Sequence, residues 1–303
     1  MAVRRLSSLI LVVLLLQVVP LVLFQDTSLG AVADSELAPP PPGMVQILRT
    51  SDGSTLIGRI TKVEDNRVTF ATDLTVIEIP IDSIVELSEA SESSVKSGRY
   101  WFPDPAAAQL FLFPTARMVP RGEGYVADYY IFFAAAGYGV SDWLTLGGGL
   151  SLFPFVDLDH QIYYFTPKVG IEASENFHLS AGALVIKIPG FCDDDNVPLV
   201  GVLDAVATYG GPDRSLTAGV GYGFVEDEPA DKPLVLLGGN WRVSRRVAFV
   251  SENWVIPGVD NAMISYGVRL MGESISVDLA FFTPTGEDFV FPGVPFVAFA
   301  FNF

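Results

Sequence analysis

The most regular hydrophobic pattern of the chain covers residues 294–303. One set of alternate positions is large and apolar, and the set between them is mixed: Val297, Phe299, Phe301 and Phe303 against Phe296, Ala298, Ala300 and Asn302. A period of two residues predicts a β-strand. Its apolar face runs to the terminal phenylalanine, as in a strand that closes a lipid-facing barrel with its last aromatic at the interface. We therefore predict a closing barrel strand, with Phe299, Phe301 and Phe303 as the assembly signal.

The same alternation recurs upstream, and from about Ala107 onward the chain contains about twelve strand-like segments. It is clearest over residues 144–152, 163–172, 216–224, 264–270 and 275–281. One face of these segments is apolar, and the other is small, polar or charged. A soluble sandwich would carry more Lys and Glu on its outer face. Glycine at those positions suits a crowded barrel lumen better.

The connections between these segments give an independent indication of a barrel. Every second one is short, at residues 141–142, 174–176, 211–213, 244–245 and 272–274, and those between are longer and acidic. Outer-membrane barrels alternate tight periplasmic turns with longer external loops in this way. An even number of strands would also leave both ends of the barrel on the periplasmic side.

The part before the barrel divides into four sections. We predict a signal peptide over residues 1–33, a Pro-rich spacer over 34–43, a small periplasmic β domain over 44–88 and a linker over 89–105, with the barrel at 106–303. The β domain has five predicted strands, at residues 44–49, 55–60, 67–71, 75–80 and 83–87, with turn residues between them. Gly58-Arg59-Ile60, followed by Ile79 and Ile81, loosely resembles SH3-like or Sm-like barrels.

The first 33 residues have the layout of an export signal. Arg4 and Arg5 precede an apolar run over residues 9–24, and Ala31-Val32-Ala33 forms a small-x-small cleavage site. The apolar run is short for a membrane span. Export with cleavage is the prediction, and an uncleaved single-span anchor is the alternative.

Charge and cysteine content exclude several functions. Of 18 basic and 35 acidic residues in the chain, the sequence after residue 33 keeps 16 and 34, a net charge of −18. Nucleic-acid binding needs a basic footprint, so no nucleic-acid partner is expected. The single Cys192 cannot form an internal disulfide. It adjoins three aspartates, 193–195, which are interpreted as a solvated loop or, alternatively, a weak divalent-cation contact. We predict no resident metal and no cofactor.

Candidate functional residues are the charged and polar groups that alternation places on the lumen side. They are Arg117, Asp128, Lys168, Glu172, Asn240, Arg242, Glu252, Arg269 and Asp278. Unpaired charges in a narrow lumen are costly, so mutual pairing is expected. The set indicates either a polar path for a solute or a salt-bridged plug that keeps the barrel shut. Trp143, Trp241 and Trp254 are predicted to belong to the interfacial girdle.

Catalysis has weaker support in the sequence. A barrel phospholipase would need a serine paired with a histidine. Only His160 and His178 are present, neither in a His-x-Ser pattern, and no Gly-x-Ser-x-Gly motif occurs. Acidic residues are plentiful in the loops, but none stand out as a glycosidase pair. The chain is predicted not to be an enzyme.

Several stretches of the chain are distinctive: Phe113-Pro114-Thr115-Ala116-Arg117, Gly122-Glu123-Gly124-Tyr125, Asp128-Tyr129-Tyr130, Phe165-Thr166-Pro167-Lys168, and the stretches 242–246 and 251–254. They resemble an uncharacterised family of bacterial outer-membrane β-barrel proteins common in Bacteroidetes-type genomes. The resemblance covers most of residues 107–303. It implies an exported, β-rich outer-membrane protein and brings no established activity.

The sequence therefore predicts an all-β protein: an antiparallel outer-membrane β-barrel of about twelve strands behind a small five-stranded domain. The leading functional hypothesis is a non-enzymatic barrel, either a narrow solute channel or a structural barrel that anchors the envelope. Expected partners are outer-membrane lipid, the barrel-assembly machinery and an envelope partner for residues 44–88. The alternatives are an outer-membrane enzyme acting on lipid or glycan, and a secreted soluble β-sandwich.

Overall fold

A computed structural model describes residues 37–189, 199–226, 228–256, 262–286 and 291–303. The predicted signal peptide and the Cys192–Asp195 stretch lie outside these ranges. The chain divides into two compact units, with the boundary between Trp101 and Phe102. That boundary falls within the predicted linker. No helix in the described ranges is long and apolar enough to cross a membrane.

The first unit is built on a five-stranded antiparallel sheet. Its strands are β1 (Met44–Thr50), β2 (Thr55–Glu64), β3 (Arg67–Thr72), β4 (Val76–Pro80) and β5 (Ile84–Ser91), in the spatial order β4-β3-β2-β1-β5. Alternate apolar residues of these strands make a core that includes Leu48, Ile60 and Phe70. All five predicted strands are thus found, while an SH3-like or Sm-like assignment remains a prediction. A small hairpin follows, made of β6 (Val95–Lys96) and β7 (Arg99–Tyr100).

The second unit is a closed antiparallel barrel of twelve strands, which confirms the predicted fold class. The strands are β8 (Gly124–Tyr129), β9 (Phe133–Ser141), β10 (Leu144–Ser151), β11 (Tyr163–Ser174), β12 (Phe177–Lys187), β13 (Leu199–Gly210), β14 (Arg214–Val225), β16 (Leu234–Ser244), β17 (Val247–Val255), β18 (Met263–Met271), β19 (Ile275–Pro284) and β20 (Val294–Asn302). A two-residue strand, β15 (Glu228–Pro229), extends the edge of β14. Consecutive barrel strands pair in order, and β20 closes the ring by pairing with β8.

The hairpin connections follow the predicted alternation. The turns after β9, β11, β13, β16 and β18 are two or three residues long. We call this end of the barrel the short-turn end. Except for the three residues between β8 and β9, the connections at the other end are longer. The C-terminal strand returns to the short-turn end, where Phe303 and Gly124 exchange two backbone hydrogen bonds of 2.9 and 3.0 Å.

The two faces of the barrel strands differ as the alternation predicts. Outward residues such as Ile171, Leu203 and Leu216 are more than half exposed, whereas inward Thr217 and Ser265 are fully buried. Phe299 and Phe303 of the predicted assembly signal are exposed on the outward face, and Phe301 is half-buried there. A continuous exposed apolar face around a closed barrel is the surface that a lipid bilayer covers.

Residues 102–123, between the two units' strands, enter the barrel instead of forming part of its wall. We call them the plug segment. Their apolar tip, Leu110, Phe111 and Phe113, packs against inward residues such as Leu236 and Phe296 to form a core inside the barrel. Phe111 and Phe113 contact aromatic rings of the wall, with Phe113 4.9 Å from the ring of Trp254. The lumen is therefore a packed interior over much of its cross-section.

Candidate functional site

The candidate site is the contact between the plug segment and the inward charges of the wall. The plug segment has little secondary structure of its own, so its backbone N–H and C=O groups need partners inside the barrel. Backbone hydrogen bonds from Leu110 to Phe113 and from Thr115 to Ala108 fold it into a narrow loop. Many of the other groups are bound by four of the predicted lumen residues, Lys168, Arg242, Glu252 and Arg269. Wall residues such as Thr145 and Thr208 bind others.

Glu252 holds the tip of the loop. Its carboxylate oxygen Oε2 accepts hydrogen bonds from three consecutive backbone N–H groups, those of Phe111, Leu112 and Phe113, at 2.8, 3.0 and 3.1 Å. Successive N–H groups that converge in this way form an anion-binding nest. The other oxygen accepts from the indole of Trp254 at 2.8 Å. The side chain is fully buried, and these four donors replace the water that its charge has lost.

Arg269 lies at the centre of the most extensive ion-pair group. Its guanidinium binds both carboxylate oxygens of Asp278 on the neighbouring strand, at 2.7 and 2.8 Å, and Oδ2 of Asp104 in the plug segment at 3.1 Å. It also donates to the carbonyl oxygens of Ala106 and Leu110. Arg269 is 1% exposed, so the wall and the plug segment meet here through a buried cation shared by two carboxylates.

Lys168 and Arg242 bind plug carbonyls on either side of this group. The ammonium of Lys168 donates to the carbonyl oxygens of Arg117, Thr115 and Ala108, at 2.6, 3.2 and 3.4 Å. The guanidinium of Arg242 donates to the carbonyl oxygen of Phe102 at 2.7 Å, and it lies 3.6 Å from Asp213. The expected pairing of lumen charges with each other therefore occurs for Arg269 and Asp278, and Arg242 pairs with Asp213. Lys168 and Glu252 bind mainly backbone.

Arg117 differs from its predicted place. It belongs to the plug segment and not to a barrel strand, since the first strand begins at Gly124. Its guanidinium donates to the carbonyl oxygens of Gly210 and Gly211 at the short-turn end, at 2.6 and 2.9 Å. It also lies 3.3 Å from Nε2 of His178. Arg117 thus fastens the returning arm of the plug segment to the short-turn end.

The structure corrects the predicted orientations of two side chains, Asp128 and Trp254. Asp128 pairs with Phe299 on one side and Ala134 on the other, which places it on the outward face. The prediction that it faces the lumen is wrong because β8 has only six residues, too few to establish the phase of its alternation. Trp254 faces the lumen against Phe113 rather than the membrane interface, while Trp143 and Trp241 are more than half exposed.

Two further predicted residues face inward without binding the plug segment. Glu172 shares a face with Lys168 but lies exposed next to the turn that follows β11. Asn240 accepts a hydrogen bond from the hydroxyl of Ser215 at 2.5 Å. Asp104, Asp204 and Tyr129 were not predicted. Asp204 alternates inward along residues 200–208, and that pattern would have identified it.

Beside the plug segment the lumen keeps a cavity of about 530 Å³. Rings of Tyr125, Tyr129 and Tyr164 and the indole of Trp254 line it, together with aliphatic residues of β12 and β13. Inward glycines make room for these rings. A β-carbon at Gly137 would lie 2.3 Å from the ring of Tyr125, and one at Gly149 would lie 2.5 Å from the hydroxyl of Tyr164. The small inward residues therefore accommodate aromatic side chains.

Comparison with known proteins yields only distant similarities. No family model matches the chain, and no curated protein matches it. Among solved structures, it is similar to in-vitro folded OmpT of Vibrio cholerae, with 11% identity, a TM-score of 0.32, and coverage of 86% of this chain and 95% of that one. It is also similar to Salmonella typhi OmpF in complex with daunomycin, with 10% identity, a TM-score of 0.31, and coverage of 86% and 95%. We base no inference on similarity at this level.

Proposed function

We propose that this protein is a non-enzymatic outer-membrane barrel that its own plug segment keeps shut, and that it anchors the small N-terminal unit in the periplasm. The observation that supports this most directly is the binding of the plug backbone by buried wall charges, above all the three N–H groups on Glu252 and the carbonyls on Arg269. A segment bound in this way occupies the lumen and narrows any passage through the barrel.

The proposed partners follow from the same architecture. The exposed apolar face would contact outer-membrane lipid, and the aromatic C-terminal strand with Phe299, Phe301 and Phe303 would be recognised by the barrel-assembly machinery. With twelve strands both ends of the barrel lie at the short-turn end, which in outer-membrane barrels faces the periplasm. The N-terminal unit would then be available to an envelope partner.

A narrow solute channel is the second candidate, favoured by the cavity of about 530 Å³ beside the plug segment. An enzymatic role has less support. In the part of the chain that is described, His178 contacts Arg117 and His160 contacts Asp159, and neither histidine is hydrogen-bonded to a serine.

Conductance in planar bilayers separates the two candidates. We expect the wild-type protein to show no steady conductance, and a variant lacking residues 108–114 to conduct while keeping heat-modifiable gel mobility. Steady wild-type conductance would replace the shut barrel with the solute channel. Lipid hydrolysis by the purified protein that is lost in His178→Ala would overturn the non-enzymatic assignment.

The anchoring role needs its own test. In a Gram-negative host that exports the protein, an epitope placed in the exposed turn at Ser51–Gly53 should be protected from protease in intact cells. It should become accessible once the outer membrane is permeabilised. Accessibility in intact cells would contradict a periplasmic unit, and recovery of the protein in the soluble fraction would restore the β-sandwich alternative.

A further inference from the structure

The cavity beside the plug segment has the composition of a binding site for a small apolar molecule. Its volume of about 530 Å³ falls within the range of roughly 300–1,000 Å³ usual for small-molecule sites. The lining reaches Phe133, Ile162 and Ile186, which lie at or next to strand ends opposite the short-turn end. At the other end it reaches Lys168 and Asp204. The cavity is thus a mainly apolar chamber with one polar end.

Among the described residues, Lys168 and Asp204 are the two charged ones that line the chamber. The register aligns Lys168 with Gly182 and Gly182 with Asp204, so the two charges lie at the same level of the barrel wall. A β-carbon at Gly182 would lie in contact with both carboxylate oxygens of Asp204, at 3.4 and 3.5 Å, and would take up part of the space beside this carboxylate. The chamber therefore ends at a cation and an anion separated by a glycine.

The side chains of Lys168 and Asp204 differ in how far their hydrogen-bonding groups are satisfied. The ammonium of Lys168 already donates to three carbonyl oxygens of the plug segment. Oδ1 of Asp204 is buried, and no group in the described part of the chain hydrogen-bonds to it. A buried carboxylate oxygen without a donor is costly. The chamber therefore lacks a hydrogen-bond donor, at the level of Asp204.

The charge balance determines the kind of ligand. Lys168 offsets the charge of Asp204, so a cationic ligand would leave an unbalanced positive charge in an apolar chamber, and an anionic ligand would meet the carboxylate. We propose that the chamber binds a neutral, mainly apolar molecule with an aromatic or alicyclic body, whose hydroxyl group donates a hydrogen bond to Asp204. This inference goes beyond the anchoring role and does not depend on whether the barrel conducts.

Binding of naphthalene derivatives to the full-length protein in lipid nanodiscs tests the proposal. Empty nanodiscs measure the share that partitions into lipid. We expect 2-naphthol to bind with one-to-one stoichiometry and at least tenfold more tightly than 2-methylnaphthalene, which has no donor. The anion 2-naphthoate should bind no better than 2-methylnaphthalene. Equal binding of all three probes, or no binding above the empty nanodiscs, would overturn the proposal.

Matched variants locate the site. Val202→Trp places an indole inside the chamber, and Leu203→Trp places the same side chain on the outward face of the same strand. We expect at least a tenfold loss of 2-naphthol binding in the first and less than a twofold change in the second. Asp204→Leu should abolish the preference for 2-naphthol over 2-methylnaphthalene. Equal effects of the two tryptophans, or an unchanged preference in Asp204→Leu, would show that the probe binds elsewhere. If Val202→Trp fails to give heat-modifiable protein, Asp204→Leu alone decides the outcome.

Discussion

Replacing Arg269 by methionine should be among the most destabilising single changes in the barrel. The substitution removes the cation shared by Asp104 and Asp278 and leaves two carboxylates, each less than a tenth exposed, in one buried group. Removing one partner of a buried ion pair costs about 3–5 kcal/mol. Since Arg269 serves two acids and two or more plug carbonyls, we expect a loss near the upper end, about 5 kcal/mol.

The triple change Arg269→Met, Asp104→Asn and Asp278→Asn isolates the electrostatic part of this loss. It removes the stranded charges but still leaves carbonyls such as those of Ala106 and Leu110 without their donor. Each unmade buried hydrogen bond costs about 1–3 kcal/mol, and a carbonyl oxygen, which has two lone pairs, tolerates a lost donor better than an N–H group tolerates a lost acceptor. We therefore use the lower end of that range for each carbonyl and expect the triple variant to lose only about 2 kcal/mol in total. Adding two substitutions should thus restore stability.

The assay is equilibrium unfolding by guanidinium in lipid vesicles of one composition, monitored by tryptophan fluorescence and heat-modifiable mobility. Arg246→Met, in the exposed turn after β16, is the control, and it should change the free energy of unfolding by less than about 0.5 kcal/mol. A single variant no less stable than this control would refute the assignment of Arg269 as the main plug anchor. A triple variant as unstable as the single one would refute the electrostatic explanation.

Three further changes test other parts of the structure. Glu252→Gln should destabilise the barrel by about 2 kcal/mol and raise conductance in bilayers, because charged acceptors make the stronger hydrogen bonds, whereas exposed Glu228→Gln should do neither. Deleting Phe303 removes two ring-closing hydrogen bonds to Gly124, so the folded, heat-modifiable fraction should fall, and an unchanged fraction would contradict its role in assembly. Phe70→Ala should destabilise the N-terminal unit by about 3–5 kcal/mol in limited proteolysis of the full chain while barrel mobility stays constant.

The parts of the fold that sequence predicted well are those that depend on neighbouring residues. Alternation along a strand and turn chemistry between strands are local, and the predicted short turns lie where the structure has them. Lys168, Arg242, Glu252, Arg269 and Asp278 face inward for the same reason, since a strand of nine or more residues determines its own phase. The six-residue β8 does not, and Asp128 was assigned to the wrong face.

The plug segment could not be predicted in this way because its contacts are distant in sequence. Glu252 binds backbone groups about 140 residues away, and Arg269 reaches Asp104 over 165 positions. Residues 102–123 carry no regular period of two that would distinguish wall from lumen, and the prediction that Arg117 lies on a barrel strand was therefore wrong. A single sequence can show which residues lie on the inward face of a barrel strand. It cannot show which distant backbone segment will bind to that face.

The plug also explains why so many charges are tolerated in a narrow lumen. Mutual neutralisation would need each cation to find an acid at fixed geometry, and in the described part of the barrel Arg269 does so with Asp278 and Asp104, as Arg242 does with Asp213. Lys168 and Glu252 instead satisfy carbonyl and N–H groups of a segment that cannot satisfy itself. The wall charges and the plug backbone lower each other's desolvation cost, because a buried charge needs hydrogen-bonding dipoles and a buried irregular backbone needs hydrogen-bond partners.

The same dependence means that withdrawal of the plug segment would leave these wall charges facing an open lumen, where water would have to replace the backbone groups. The residues that shut the barrel would then line a polar path, so the two functional hypotheses differ in the position of one segment, and the conductance of the wild-type protein distinguishes them.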